Sequence, residues 1–367
     1  MRIVLVGTDM APVRAGAGAL ETLLAGWAAG LAAHHDVTVA SVPGRRPAPA
    51  GDRYRTVTFD RPGELRALLA AIGPDAVVLN NRPSWQPLVT APTLHLFHNW
   101  PDAWDVPAGR TAAEVVGAAG VAAVSTALAA TVGATLDRPP GSVGVVRPFV
   151  GDELFAVAPR PEPGLVVSPN RLMVKKGVRE LAALADHPGL RDRRILITDY
   201  LSPWTSPTTE HIELRRVVAA SAAELIPAPP DRAAMAALYA RADVVVCPSI
   251  RPEGLGLTAV EAQAAGVPVV SSGLGGLAEA CLLPDLIADP TDGDAFAAAV
   301  DRAARVDAAT RAGLRAAIRD RYSPTTSLTS LIEALSRARP AGRPVDGTPT
   351  GPASPGPTPL PRRRPGR

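Results

Sequence analysis

Several residue types are scarce in this chain, and each scarcity excludes something. Cysteine is limited to Cys247 and Cys281, too few for a disulfide framework and in keeping with a reducing compartment. Aromatic residues make up only 4% of the 367 positions, so the core has to rest on Ala, Val and Leu. Net charge is a mere +3, with no dense basic stripe outside the extreme C-terminus, "PRRRPGR". Nucleic acid is therefore not an expected partner. No stretch is long and apolar enough to span a bilayer. The opening "MRIVLVGTDMAP" lacks a charged region followed by a long apolar run, so it reads as a buried strand and not as a signal peptide. Together these features predict a cytoplasmic protein, with peripheral contact at the inner membrane face left open. Lysine occurs twice, at Lys175 and Lys176, and asparagine four times, at Asn80, Asn81, Asn99 and Asn170. Such an Ala/Arg/Pro/Gly-rich composition suggests a GC-rich bacterial genome, in which a residue kept against the bias is a candidate for chemistry.

What is present is globular: 47% hydrophobic and 20% charged residues. The length favours two domains. Short apolar runs alternate with amphipathic segments along almost the whole chain. "RIVLVG", "DVTVAS", "DAVVLN", "TLHLFHN", "VAAVS" and "VGVV" form a first series of strands. "LVVSP", "RRILITD", "AELIP", "DVVVCPS" and "VPVVSS" form a second, beginning near Pro163. Val/Ile/Leu runs separated by helices mean parallel sheets covered on both faces. The fold class is thus α/β, with two doubly wound, Rossmann-like domains over residues 1–160 and 161–338, the last helix being free to pack back on the first. Ligands of such sheets sit beyond the carboxyl ends of the strands, here in one cleft between the domains. Residues 339–367, rich in Pro, Gly, Thr and Ser, read as a disordered tail.

The segment "PSIRPEGLGLTAVEAQAAGVPVV" (Pro248–Val270) should deliver a glycine turn into that cleft at the end of a strand. Gly254 and Gly256 allow a sharp turn and close approach to a ligand. The helix that follows offers unpaired N–H groups and a positive dipole end, suited to phosphate. Glu253 and Glu261 repel phosphate and suit hydroxyl donors. Plainer readings exist: Thr258 and Glu261 have the spacing of a capping box, and Glu253 has the look of a solvated loop residue. "NRLMVKKGVREL" places Arg171 and Lys176 in a basic loop after the first strand of the second domain, aimed at the same cleft. Arg forks two phosphate oxygens and Lys is a compact point charge. No Asp-x-Asp appears where a divalent ion would be held, and no Cys/His cluster suggests zinc.

The stretch from Pro248 to Glu279 resembles the signature of the retaining glycosyltransferases of family four, with two glutamates flanking seven residues, a Gly-x-Pro-Val-Val strand and a Gly-Gly turn at Gly275 and Gly276. Arg171 and Lys176 match the family's Arg-x4-Lys-Gly segment. The resemblance implies a GT-B fold and hexosyl transfer, with retention, from a nucleoside diphosphate sugar, UDP being the default. No cofactor or metal is implied. Glu253 would contact the donor sugar, Glu261 the ribose, and the amides of Gly254, Leu255 and Gly256 the sugar and diphosphate. "AGAGALE" (Ala15–Glu21) resembles the family's first glycine loop, which assigns Gly16 and Gly18 to the donor phosphates and Glu21 to the acceptor side. "NNRPSW" and "LHLFHNW" resemble segments of polysaccharide-type members, making Asn81, Arg82 and Asn99 acceptor-side candidates and His98 a catalytic one. The acceptor would be a glycan, a lipid-linked glycan or a small secondary metabolite. The chain departs from the family at Pro148 and Phe149, at Ala17, at Asn170 and over "YLSPWTSPTTEHIELRR".

Other classes compete. A nicotinamide-dependent oxidoreductase shares the opening strand, glycine loop and helix, although "GAGALE" lacks the third glycine of the dinucleotide fingerprint. A sugar-nucleotide epimerase or a hydrolysing relative shares the two-domain fold, and a non-catalytic sugar-nucleotide binder shares the site. Within the transferase reading, Lys176→Ala is expected to cut turnover far more than folding stability. Unchanged turnover in a folded mutant would remove Lys176 from the phosphate site.

Overall fold

A computed structural model describes residues 1–8, 13, 18–43, 53–201 and 207–340. Seven parallel strands form the first sheet: β1 (Arg2–Val6), β2 (Asp36–Ser41), β3 (Arg55–Thr58), β4 (Ala76–Asn80), β5 (Thr93–Phe97), β6 (Gly120–Ala123) and β7 (Gly144–Val145). Their spatial order is β3-β2-β1-β4-β5-β6-β7. Five parallel strands form the second: β8 (Leu165–Ser168), β9 (Arg194–Asp199), β10 (Glu224–Pro227), β11 (Val244–Cys247) and β12 (Val269–Ser271), in the order β10-β9-β8-β11-β12. In both sheets the order reverses beside the first strand, between β1 and β4 and between β8 and β11. A crevice opens at such a switch point, outside the carboxyl ends of the strands.

Alternation along each strand explains the layers. Ile3, Leu5, Val37, Val39, Ala76 and Val78 share one buried cluster with Leu24, Trp27 and Leu31 of the helix Ala19–Leu31. Their neighbours Val4, Val6, Val77 and Leu79 point the other way, onto Leu65 and Leu69 of the helix Pro62–Ile72. The second sheet divides likewise, with Val245 and Val269 on one face and Val166, Ile197 and Val246 on the other. The first cluster is continuous from one sheet to the other, so an apolar layer underlies the cleft. Periodicity alone did not reveal β3. Its "RTVT" is a half-exposed edge strand with a single aliphatic residue, and an edge needs only one covered face.

The C-terminal helices tie the sheets together. Ser323 ends the helix Ala308–Tyr322 and caps the helix Pro324–Leu335, accepting from the Thr326 N–H at 3.2 Å. Pro324 at the first helical position cannot continue the preceding helix. The second of these helices returns to the first sheet. Trp27 Nε1 donates to Ser327 Oγ at 2.8 Å, and Ser327 Oγ donates to the Arg147 carbonyl. Beyond it, Arg339 exchanges backbone hydrogen bonds with Thr93 at 2.9 and 3.3 Å. The first residue of β5 thus holds Arg339, where the tail was expected to begin, and residues 341–367 lie outside the described residues. Among the described residues no helix is long and apolar enough to cross a membrane.

This return segment passes so close to β6 that a Cβ on Gly120 would lie 2.3 Å from the Arg337 carbonyl oxygen. Gly120→Ala is expected to lower stability by about 1–3 kcal/mol through overpacking, read as a shift in the denaturant midpoint. An unshifted midpoint would show that the segment is not docked there.

Candidate functional site

Among the described residues, the segments singled out after β4, β5, β8, β11 and β12 leave their strands at the carboxyl ends. After β8 the chain passes Asn170 and Arg171, where Arg171 makes an isolated bridge to Tyr200, and turns through Val174–Lys176. Gly177 follows with φ 73°. A Cβ there would meet the Pro248 carbonyl oxygen at 1.8 Å, so only glycine lets the loops after β8 and β11 touch. That contact brings Lys176 onto Glu253. Lys176 Nζ donates to both carboxylate oxygens, at 2.5 and 2.7 Å, and Ser249 Oγ donates to Oε1 as well. Both long side chains are about 15% exposed (15% and 16%). Glu253 is also held by its backbone, donating to Leu274 O at 3.2 Å and accepting from the Gly276 N–H at 2.8 Å. Burial opposes ionisation of its carboxyl, but Lys176, the Ser249 hydroxyl and Lys175 together hold it below the usual carboxylate range. The neighbouring Lys175 is pushed below the usual ammonium value, first by burial and then by Arg171 and Lys176. Three cations thus share one loop, and one buried acid faces them.

Glu261 lies in the helix Leu257–Ala264, whose N-cap is Gly256 at φ 94° with no side-chain cap. The capping-box explanation of Glu261 is thereby removed. Its oxygens are instead taken separately: Arg232 Nη1 donates to Oε1 and Tyr239 Oη to Oε2, each at 3.1 Å. Arg232 also pairs with Glu153 of the crossover between the sheets. Burial, then the Glu261 charge, pushes the Tyr239 hydroxyl well above its ordinary pKa, so it stays a donor. Gly254 and Leu255 lead into the helix, and Leu255 is buried in the central cluster.

The first domain meets this turn directly. A Cβ on Gly254 would lie 1.9 Å from the His98 carbonyl oxygen, and one on Gly275 would lie 2.7 Å from Trp100 Cζ2. Glu279 accepts from the Thr126 N–H, at 2.8 Å, at the start of the helix Thr126–Thr135. His98 follows β5 and is half-buried. Its Nε2 bonds Asn80 Oδ1 at 3.0 Å, and burial lowers its pKa to about 3. Asn81 adopts φ 54° and accepts from the backbone N–H groups of His98 (2.7 Å) and Asn99 (3.3 Å). Its oxygen is therefore spent on shaping the loop. Asn99 keeps an exposed side chain, while its carbonyl accepts from Trp104 Nε1. Arg82 pairs with Asp105 at 3.3 Å and lies over Trp85, a local anchorage beside the cleft. His95 is fully buried, hydrogen-bonded to Gln86.

Gly18 is the N-cap of the first helix, and its φ of −177° is extended backbone open to any residue. Gly16 lies outside the described residues. Glu21 is buried; Thr8 Oγ1 donates to it at 3.4 Å. Burial raises its pKa, partly offset by its own backbone, Thr8 and the charge of Arg171. Arg171 thus lies within electrostatic reach of Glu21 in the first domain. The structure therefore brings Arg171, Lys176, Glu253, Gly254 and His98 to one place and gives Asn81 and Arg82 structural duties. The sequence reading passed over Asn80, Ser249, Arg232 and Tyr239. Asparagine scarcity was a signal for Asn80; nothing local marked the other three.

Removing the acid tests the pair. Glu253→Gln leaves Lys176 without its partner and is expected to cost about 1–3 kcal/mol at pH 7. Because the native carboxyl lies below its ordinary value of 4.5, the wild-type advantage holds above that pH. It is lost as pH falls through the lower native value. Denaturation curves of both proteins between pH 7 and 3 check this; curves that stay parallel would show that the ion pair adds nothing.

Residues 205–305 match the sequence profile of the family described as "Glycosyl transferases group 1". A D-inositol 3-phosphate glycosyltransferase of Corynebacterium diphtheriae is 31% identical over 160 residues, 38% of this chain and 37% of that protein. Its counterpart in Mycobacterium marinum is 30% identical over 213 residues, 53% of this chain and 44% of that protein. The chain thus matches less than half the length of these relatives. Among solved structures, sucrose-phosphate synthase from Thermosynechococcus elongatus superposes with a TM-score of 0.71 at 20% identity, over 90% of this chain and 97% of that one. Anabaena Alr3699/HepE, solved in complex with UDP and glucose, gives 0.65 at 17% identity over 92% and 99%. Residues 205–305 are accordingly similar to glycosyl transferases group 1, within a chain that has the two-domain GT-B fold.

Proposed function

We propose that the protein transfers a hexosyl group from a nucleoside diphosphate sugar to an acceptor hydroxyl, with retention at the anomeric carbon. The observation that carries this reading is the Lys176–Glu253 pair, at 2.5 Å between Nζ and Oε1, in a loop that also holds Arg171 and faces the glycine turn ahead of the helix Leu257–Ala264. A diphosphate entering here takes Lys176 as a counter-ion. Glu253, relieved of its partner, then accepts from sugar hydroxyls. Glu261 accepts from the ribose through the lone pairs left by Arg232 and Tyr239. The first-turn N–H groups of the helix add positive potential beside the phosphates.

In the reaction the bond between the anomeric carbon and the diphosphate oxygen breaks, its electron pair leaving with the diphosphate. Arg171 and Lys176 stabilise the developing charge where water is largely excluded. The acceptor oxygen bonds the anomeric carbon on the face the diphosphate has left, and its proton passes to a diphosphate oxygen. No protein carboxylate forms a bond to the sugar, in contrast to retaining hydrolases. UDP as the leaving nucleotide follows Anabaena Alr3699/HepE, of the same fold, which was solved with UDP and with UDP-glucose. The family match lies in the second, donor-side domain, so the inositol phosphate named for the curated relatives is not carried over. The acceptor remains a glycan, a lipid-linked glycan or a small molecule.

A thermal-shift screen against nucleotide sugars tests the donor: a ligand at 100 times its Kd stabilises by about 2.7 kcal/mol. Turnover is then followed with a panel of hydroxyl acceptors. Expected are diphosphate release that needs an acceptor, an unchanged anomeric configuration, and a kcat lowered at least about 100-fold in Lys176→Met. Release without acceptor would identify a hydrolase, interconversion of donor epimers an epimerase, and an inverted product a different mechanism.

A further inference from the structure

The asparagine that the sequence reading left unassigned occupies an informative place. Asn80 ends β4 and is 1% exposed. Its Nδ2 donates to the Val6 carbonyl, at the end of the adjacent β1, at 2.8 Å. A carbonyl only accepts, so the amide has one orientation, with Oδ1 turned toward His98. Oδ1 also only accepts, and it lies 3.0 Å from His98 Nε2. The proton of the neutral imidazole must therefore sit on Nε2, and Nδ1 carries the lone pair. Among the described residues the ring's hydrogen bond is made through Nε2 alone, and none occupies Nδ1.

Further contacts among the described residues fix the place of His98. The Trp27 ring stands 6.1 Å away, centroid to centroid. Asn81 pins the His98 N–H from the start of the next loop. Gly254 presses on its carbonyl from the second domain. No charged group of the described residues acts on the imidazole; burial alone holds its pKa near 3. A ring without a nearby charge, with one nitrogen committed as donor, remains a neutral acceptor throughout the working pH range.

We propose that Asn80 is a positioning residue that holds His98 in its Nε2–H tautomer, so that Nδ1 meets the substrate as an acceptor for a hydroxyl. The substrate half of this statement rests on the sugar-transfer reading above; the tautomer does not. It also limits what can lie against His98. A phosphate or carboxylate oxygen brings no proton to an Nδ1 lone pair, so the anionic part of the substrate belongs at Arg171 and Lys176 and the hydroxyl-bearing part here. If Asn80 served only to join β1 to β4, the imidazole would be indifferent to its replacement.

Long-range proton–nitrogen NMR of the full chain, labelled with 15N at histidine, reads the tautomer directly. The expected spectrum has a protonated Nε2 and an unprotonated Nδ1. Asn80→Asp places a carboxylate on Nε2–H and should raise the His98 titration midpoint by roughly one to three pH units from about 3. The protonated ring has no lone pair to offer, so kcat/KM in this variant should fall on acidification with that midpoint. Asn80→Ala should lose about tenfold in kcat/KM at pH 7, the equivalent of one hydrogen bond, and should show a mixture of tautomers. A protonated Nδ1 in the wild type, or a midpoint left in place by Asn80→Asp while stability falls, overturns the proposal. The expected tautomer without sugar transfer to any acceptor would overturn the reaction and leave the Asn80–His98 coupling standing.

Discussion

The site depends on one close approach: the backbone at Gly254 lies where the His98 carbonyl leaves no room for a side chain. Through that contact the loop after β5 in one sheet and the loop after β11 in the other become parts of a single surface. A second glycine, Gly177, does the same between the loops after β8 and β11 within the second domain. These two contacts set the distances among His98, Glu253 and Lys176, groups contributed by three different strands. The continuous apolar cluster beneath and the docked C-terminal helix hold the sheets at the spacing this needs.

Within the cationic loop one charge is matched by a buried acid: Lys176 is paired with Glu253. Glu253 would be costly to bury alone, as would Lys176, and each is the other's solution. In the proposed reaction an incoming diphosphate would offer Lys176 a stronger counter-ion and sugar hydroxyls would offer Glu253 neutral donors, so that partners are exchanged and neither group is left unpaired. Glu261 follows a related logic, with Arg232 and Tyr239 each claiming one of its oxygens and leaving a lone pair on both.

Much of the fold could be read in advance because parallel strands buried on both faces are continuous aliphatic runs, and "RIVLVG" and "DVVVCPS" admit few other interpretations. The edge strand β3 escaped because one covered face needs only one Val among four residues. For the site, Lys176 and Glu253 were visible through their rarity and their motif. The duty of Asn81 was not, since a φ of 54° and two backbone donors arise only once β4 and β5 lie side by side. Arg232 and Tyr239 lie 29 and 22 residues before Glu261, and no local pattern links them to it.

The sequence by itself determined the two-sheet architecture, the glycine turns, and a second domain with acids and cations near the ends of its strands, because hydrophobic period and backbone freedom are local properties of the chain. Only the tertiary structure decided which of those charges face one another, which asparagine shapes a loop and which orients a histidine. Hydrogen bonds and ion pairs act over about 3 Å, and residues tens of positions apart come within that range only after both sheets have formed and closed on a common core.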